Sequence, residues 1–140
     1  MQSVRAKKHQ IHGDSNMRRV FSLVVSLLAV VFIVMGVRWL IAPEGIAPEF
    51  GLILGDGLGL SSQIGDMSGY FLFLGISILL GVVTGHRPWF YAAAILLSLT
   101  AVGRTIAWLI HDAALASQIR SEIVIAVLLL IASRVVGEDD

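Results

Sequence analysis

VFSLVVSLLAVVFIVMGVRWLIA, residues 20–42, decides the fold, because this long apolar run holds a single charge, Arg38, near its far end. At about 1.5 Å per residue a helix of this length exceeds the roughly 30 Å hydrocarbon core of a bilayer, so the segment is expected to span. Arg18 and Arg19 followed by Phe21 loosely resemble a twin-arginine export start. The apolar stretch is too long for the h-region of a signal peptide, Arg38 and Trp39 stand where small cleavage-site residues belong, and Pro43 follows Ala42. The run reads as a signal anchor.

Three more apolar runs follow, at 68–85, 89–110 and 121–136. The second ends at His86, Arg87, Pro88 and Trp89, where proline can begin a helix without losing a needed N–H, so runs two and three form a tight hairpin. The expected architecture is all-α, an integral membrane bundle of four transmembrane helices. Residues 1–19 form a basic cytoplasmic tail, 20–136 the membrane domain and 137–140 an acidic tail.

Orientation follows from charge. Arg5, Lys7, Lys8, Arg18, Arg19, Arg87 and Arg134 fall on the side of both termini, against Arg38, Arg104 and Arg120 toward the other. The positive-inside rule then places both termini in the cytoplasm. Trp39 and Trp108 come to the outer interface and Trp89 to the inner one, where amphipathic rings prefer to sit. Between Pro43 and Ser68 lie six glycines, four acids and no Lys or Arg. This composition predicts a loose interfacial loop, with a re-entrant segment as the alternative.

With 56% hydrophobic and 14% charged residues in a chain of 140, and a mean hydropathy of +0.85, no room remains for a soluble enzyme domain. The absence of cysteine excludes disulfides, thiolate nucleophiles, thiolate metal sites and covalently attached c-type haem. His9, His12 and Asp14 have a spacing a metal could use, but they sit in a basic tail expected to be disordered, and no metal site is predicted. His86 and His111 fall at opposite membrane faces and cannot share a haem. Gly55, Asp56, Gly57 and Gly59 lack the preceding strand and following lysine of a phosphate loop. Ser77, Gly81 and Gly85 are expected to pack within the bundle.

The residues that do point to chemistry are Arg104, well inside the third run, and Glu122, at the start of the fourth. A charge there costs roughly 2.5–3.5 kcal/mol on insertion scales. At 100° per residue Thr100, Arg104, Trp108 and His111 share one arc of the third helix with Gly103 and Ala107 beside them, while Ile95, Leu99, Val102, Ile106 and Leu109 lie opposite. The polar arc should face protein, and Glu122, entering on an antiparallel neighbour at similar depth, is the natural partner of Arg104. Asp66, before the second run, and Arg38, at the end of the first, would complete an outer-leaflet cluster with His111 and Asp112. The candidate ligand-binding residues are thus Arg104, Glu122, His111, Trp108, Asp66 and Arg38; no catalytic residue is assigned.

An acid followed by GYFLFLG at 69–75, then VGRTIA at 102–107, Asp112 and Glu122, resembles the bacterial four-helix membrane family known as domain of unknown function 4345, over residues 20–134. The resemblance implies an acid before a glycine-rich second helix, an arginine in the third and a glutamate opening the fourth, matched by Asp66, Arg104 and Glu122. Met67 and Ser68 stand where the family would carry a basic residue soon after the acid. A more distant similarity to DoxX-like proteins implies a redox-associated accessory role.

These readings describe a non-catalytic membrane protein whose polar cluster either fixes the bundle or binds a small amphipathic or anionic ligand. A membrane-embedded enzyme or redox accessory subunit is one rival, and a small proton-coupled carrier another. The expected partners are the bilayer and a second membrane protein or another copy of the chain; no cofactor and no nucleic acid is expected.

Overall fold

A computed structural model describes residues 2–137, with side chains from Ser15 onward. The side chains of His9, His12 and Asp14, and the acidic tail beyond Gly137, lie outside what is described. All described regular structure is helical: α1 (Gln2–Ile41), α2 (Pro43–Ile46), a 3-10 turn (Ala47–Phe50), α3 (Gly57–Thr84), α4 (Arg87–Ile110) and α5 (Gln118–Val135). The backbone of the basic tail continues α1 without a break, where a disordered segment was expected.

Each long helix buries one stripe. Val25, Ala29, Phe32 and Trp39 on α1, Phe71, Leu74 and Ile78 on α3, Phe90, Ala93, Ala94 and Leu97 on α4, and Ala126, Leu129 and Ala132 on α5 meet in one core. These spacings of three, four and seven put each set on one helical face. The opposite faces expose Leu23, Leu27, Val30, Ile76, Val83, Ile95, Leu99 and Val124, the pattern of helices whose outer solvent is hydrocarbon. Hydroxyls follow the same logic: Ser98 donates to the Ala94 carbonyl at 2.8 Å, Thr100 to Leu96 at 2.9 Å and Thr105 to Ala101 at 2.8 Å, so no water is needed to satisfy them.

Three helices are long and apolar enough to cross a membrane: residues Ser15–Ile41 of α1, and α3 and α4. The fourth expected span, α5, has 18 residues and carries Arg120, Glu122 and Arg134. At 1.5 Å per residue it is about 27 Å long, slightly short of the hydrocarbon core.

The loop expected over 43–68 is also corrected. α3 begins at Gly57, so Asp66 lies within a helix and not ahead of one. Glycine in a helix interior costs up to about 1 kcal/mol relative to alanine, which is why this stretch reads as a loop. Gln63 offsets that cost by tethering the preceding chain: its Oε1 accepts the Gly55 N–H at 2.7 Å and its Nε2 donates to the Ile53 carbonyl at 2.9 Å. The hairpin between α3 and α4 forms as expected, with Gly85 at φ 73° as the left-handed cap and Pro88 in the first turn of α4. Gly81 admits the Phe90 ring there.

α1 leans chiefly on α3, and α4 on α5. The first pairing depends on Gly75, where an added Cβ would lie 2.7 Å from the Ala29 carbonyl oxygen and 2.6 Å from Ile33 Cγ1. Gly36 is equally tight against Leu72. Gly103, by contrast, has open space around it, so the close approach expected there does not occur.

Gly75→Ala should therefore push α1 from α3 and lower stability in detergent by about 1–3 kcal/mol, the usual scale of overpacking. Gly103→Ala should be neutral or stabilising by a few tenths to about 1 kcal/mol. Equal effects at the two sites in a denaturant titration would contradict this packing.

Candidate functional site

Between the α1/α3 pair and the α4/α5 pair lies a cavity of about 500 Å³. Leu28, Val31, Phe32 and Met35 wall it from α1, Met67, Tyr70 and Phe71 from α3, and Leu97 and Ile125 from α4 and α5. Into this apolar space project Asp66, Thr100, Arg104, Gln118, Ser121 and Glu122. Among the wall residues Val31 on α1 is exposed, as are Ser121 on α5 and Asp66 on α3, so the opening lies where α1 faces α5 across the cleft. α1 and α5 touch at the opposite end, where Arg18 Nη2 donates to the Val136 carbonyl at 3.3 Å. The bundle is pinned at that end and splayed at the other.

Arg104 Nε donates to Glu122 Oε1 at 2.8 Å, the pairing expected from their depth. The Glu122 side chain is 9% exposed and that of Arg104 32%. Glu122 Oε2 is buried without a hydrogen-bond partner among the described residues, so the carboxylate is only half used. Such an atom costs about 1–3 kcal/mol, more for a charged group, until a donor reaches it. Glu122 is the fifth residue of α5, beyond the first turn where the helix dipole acts most strongly, so Arg104 is its principal stabilising charge.

The other expected members separate. Asp66 reaches the cavity rim and forms no ion pair among the described residues. Trp108 is 44% exposed, and His111 is the exposed C-cap of α4. Their angular position on α4 is near that of Phe90 and Arg104, but they lie in its last turn and C-cap and are exposed. Neither lines the cavity. Asp112, at φ 50°, turns the chain away toward α5.

Arg38 also leaves the cluster. Its Nη2 donates to Glu49 Oε1 at 2.7 Å and to the Gly45 carbonyl at 3.2 Å, because α2 and the 3-10 turn fold back over the last turn of α1. The Arg38 guanidinium holds the Glu49 carboxyl below the usual carboxylate range. This strap covers Trp39, which is fully buried with its ring 6.2 Å from Phe50. Phe50 in turn packs 5.3 Å from Phe71 and lines the cavity.

Sequence reasoning missed Tyr70, Gln118 and Ser121 as cavity residues. Gln118, Ser121, Glu122 and Ile125 follow the i, i+3, i+4, i+7 rule, and that signal was available. No group of three metal-ligating side chains occurs among the described residues. The chain matches no family model, and neither curated proteins nor solved structures give a match.

A double-mutant cycle tests the pair. Arg104→Ala and Glu122→Ala should each destabilise the bundle, and the double variant should recover about 1–3 kcal/mol relative to their sum, since each single change strands a charge in an apolar setting. Strict additivity in detergent unfolding would exclude an energetic link between the two residues.

Proposed function

We propose that the chain is a four-span protein of a bacterial inner membrane, with both termini cytoplasmic, that binds a small amphipathic molecule in the cleft beside Arg104 and Glu122. The observation that carries this reading is the cavity itself. Four long helices supply apolar walls, and a few polar groups converge on one end, the composition typical of small-molecule sites. A pair serving only to hold register would be expected in a collapsed, saturated environment. Here Glu122 lines an open cavity while its buried Oε2 has no hydrogen-bond partner among the described residues.

The fourth crossing is supported by the packing of α5 along α4 through Ala126, Leu129 and Ala132. The orientation is supported by the excess of Lys and Arg toward the termini. The resemblance to domain of unknown function 4345 rests on Asp66, Arg104 and Glu122, all three of which line the same cavity. His111, grouped with Arg104 and Glu122 from the sequence, does not line the cleft.

Cysteines placed singly at Ser61 and Ser117 should react with a membrane-impermeant maleimide from outside the cell, and those at Ser15 and Asp139 should react only after permeabilisation. Labelling of the Asp139 variant from outside would refute the fourth span.

For the ligand reading, Thr100→Trp should fill the cleft, and Glu122→Gln should alter its polar end with little change in volume. Both variants are expected to remain monodisperse while saturable association with single-chain amphiphiles falls at least tenfold. Unchanged association in a folded Thr100→Trp variant would refute the cleft as the site.

A further inference from the structure

The polar end of the cleft is electrically unbalanced. Its charged lining is Asp66, Arg104 and Glu122, two carboxylates against one guanidinium. Arg104 is engaged with Glu122 Oε1 and makes no other hydrogen bond among the described residues. Asp66 on the rim therefore has no countercharge, and Glu122 Oε2 has no donor. An anionic head could take the unused Nη donors of Arg104 only beside two carboxylates, so the net charge of the lining disfavours it.

We propose that the cleft takes a lipophilic cation, a single-tailed amine whose ammonium head lies between Asp66 and Glu122 and whose tail occupies the apolar wall of Leu28, Phe32, Met35 and Leu97. This rests on the cavity reading above and names the ligand class for that site. An ammonium supplies up to three N–H donors and a positive charge, and no acceptor. It matches both deficits at once: one donor answers Glu122 Oε2 after a small rotation of the carboxylate, and the charge answers Asp66. In an apolar setting such charge-assisted bonds are roughly twice as strong as neutral ones.

Size selects one tail. A cavity of about 500 Å³ lies in the range of small-molecule sites and suits one alkyl chain with a small head. Access is sideways from the bilayer, because Val31 and Ser121 expose the cleft between α1 and α5. A molecule already dissolved in the leaflet reaches the site without crossing water.

The test uses the full-length protein in nanodiscs of zwitterionic phosphatidylcholine at pH 7, with labelled dodecylamine, dodecanol and dodecanoate compared by equilibrium dialysis against empty discs. Three variants are measured beside it: Asp66→Asn, whose exposed position leaves folding intact, Val31→Trp, which narrows the opening from an exposed site, and Thr100→Trp. Support is saturable binding of about one dodecylamine per chain, weakened at least tenfold by Asp66→Asn and by Val31→Trp, with dodecanol and dodecanoate bound at least tenfold more weakly. If dodecanoate or dodecanol binds as tightly as the amine, or Asp66→Asn leaves amine affinity unchanged, while Thr100→Trp removes the binding, the cation assignment is overturned and the cavity reading stands. If none of the three probes binds above empty discs, both fall.

Discussion

A guanidinium and a carboxylate 2.8 Å apart on neighbouring apolar helices set the terms for the rest of this molecule. Neither charge is tolerable alone in a hydrocarbon setting, where the cost of one unpaired ion exceeds what the packing of a few alanines returns. Together they fix the height of α5 against α4. With that height set, Gln118, Ser121 and Ile125 fall along the same face of α5 as Glu122 and become the fourth wall of the cleft. The pair is a structural element first, and its position makes the polar end of the cavity.

The cavity also depends on how unequally the helices approach one another. Gly36 and Gly75 bring α1 and α3 to near backbone contact, and Gly81 with Phe90 closes the hairpin of α3 and α4. Arg18 ties α1 to the end of α5. Among the described residues no hydrogen bond or ion pair joins α1 to α5 at the other end, where Phe32, Tyr70, Phe71 and Leu97 line the gap between the two pairs. Lipid supplies little hydrophobic drive for collapse, since helix contact gains mainly from close packing. A gap flanked by aromatic rings can therefore persist where the same gap in water would collapse or fill.

How far the sequence could be read divides by the kind of information each feature needs. The helices and the α3/α4 turn were legible because hydropathy, Pro88 and Gly85 act locally. The partnership of Arg104 and Glu122 was legible because an intramembrane charge demands a counterion and only one carboxylate enters at matching depth. The helical wheel put Trp108 and His111 on the arc of Arg104, but a wheel carries no height, and both residues, at the end of α4, are exposed and outside the cavity lining. Arg38 was assigned to the cluster because the reversal at Pro43, which brings Glu49 to it, leaves no periodic trace. The helix over 57–67 was hidden because its glycines oppose helix formation and the Gln63 tether that secures it is a contact across eight to ten residues.

The ion pair bears on α5 in one further way. Taken by composition, that helix is a poor span: three charges in 18 residues. Their placement changes the reckoning. Arg120 is in the first turn and exposed, Arg134 is in the last turn and exposed, and both stems are long enough to carry their charge toward a headgroup region. Between Ile123 and Ser133 the helix holds no charge at all. Glu122 is the single group that can neither reach water by length nor be ignored by depth, and Arg104 neutralises it from the adjacent helix. On the four-span reading proposed above, a crossing by α5 would depend on α4, whose Arg104 is the cation that hydrogen-bonds the Glu122 carboxylate.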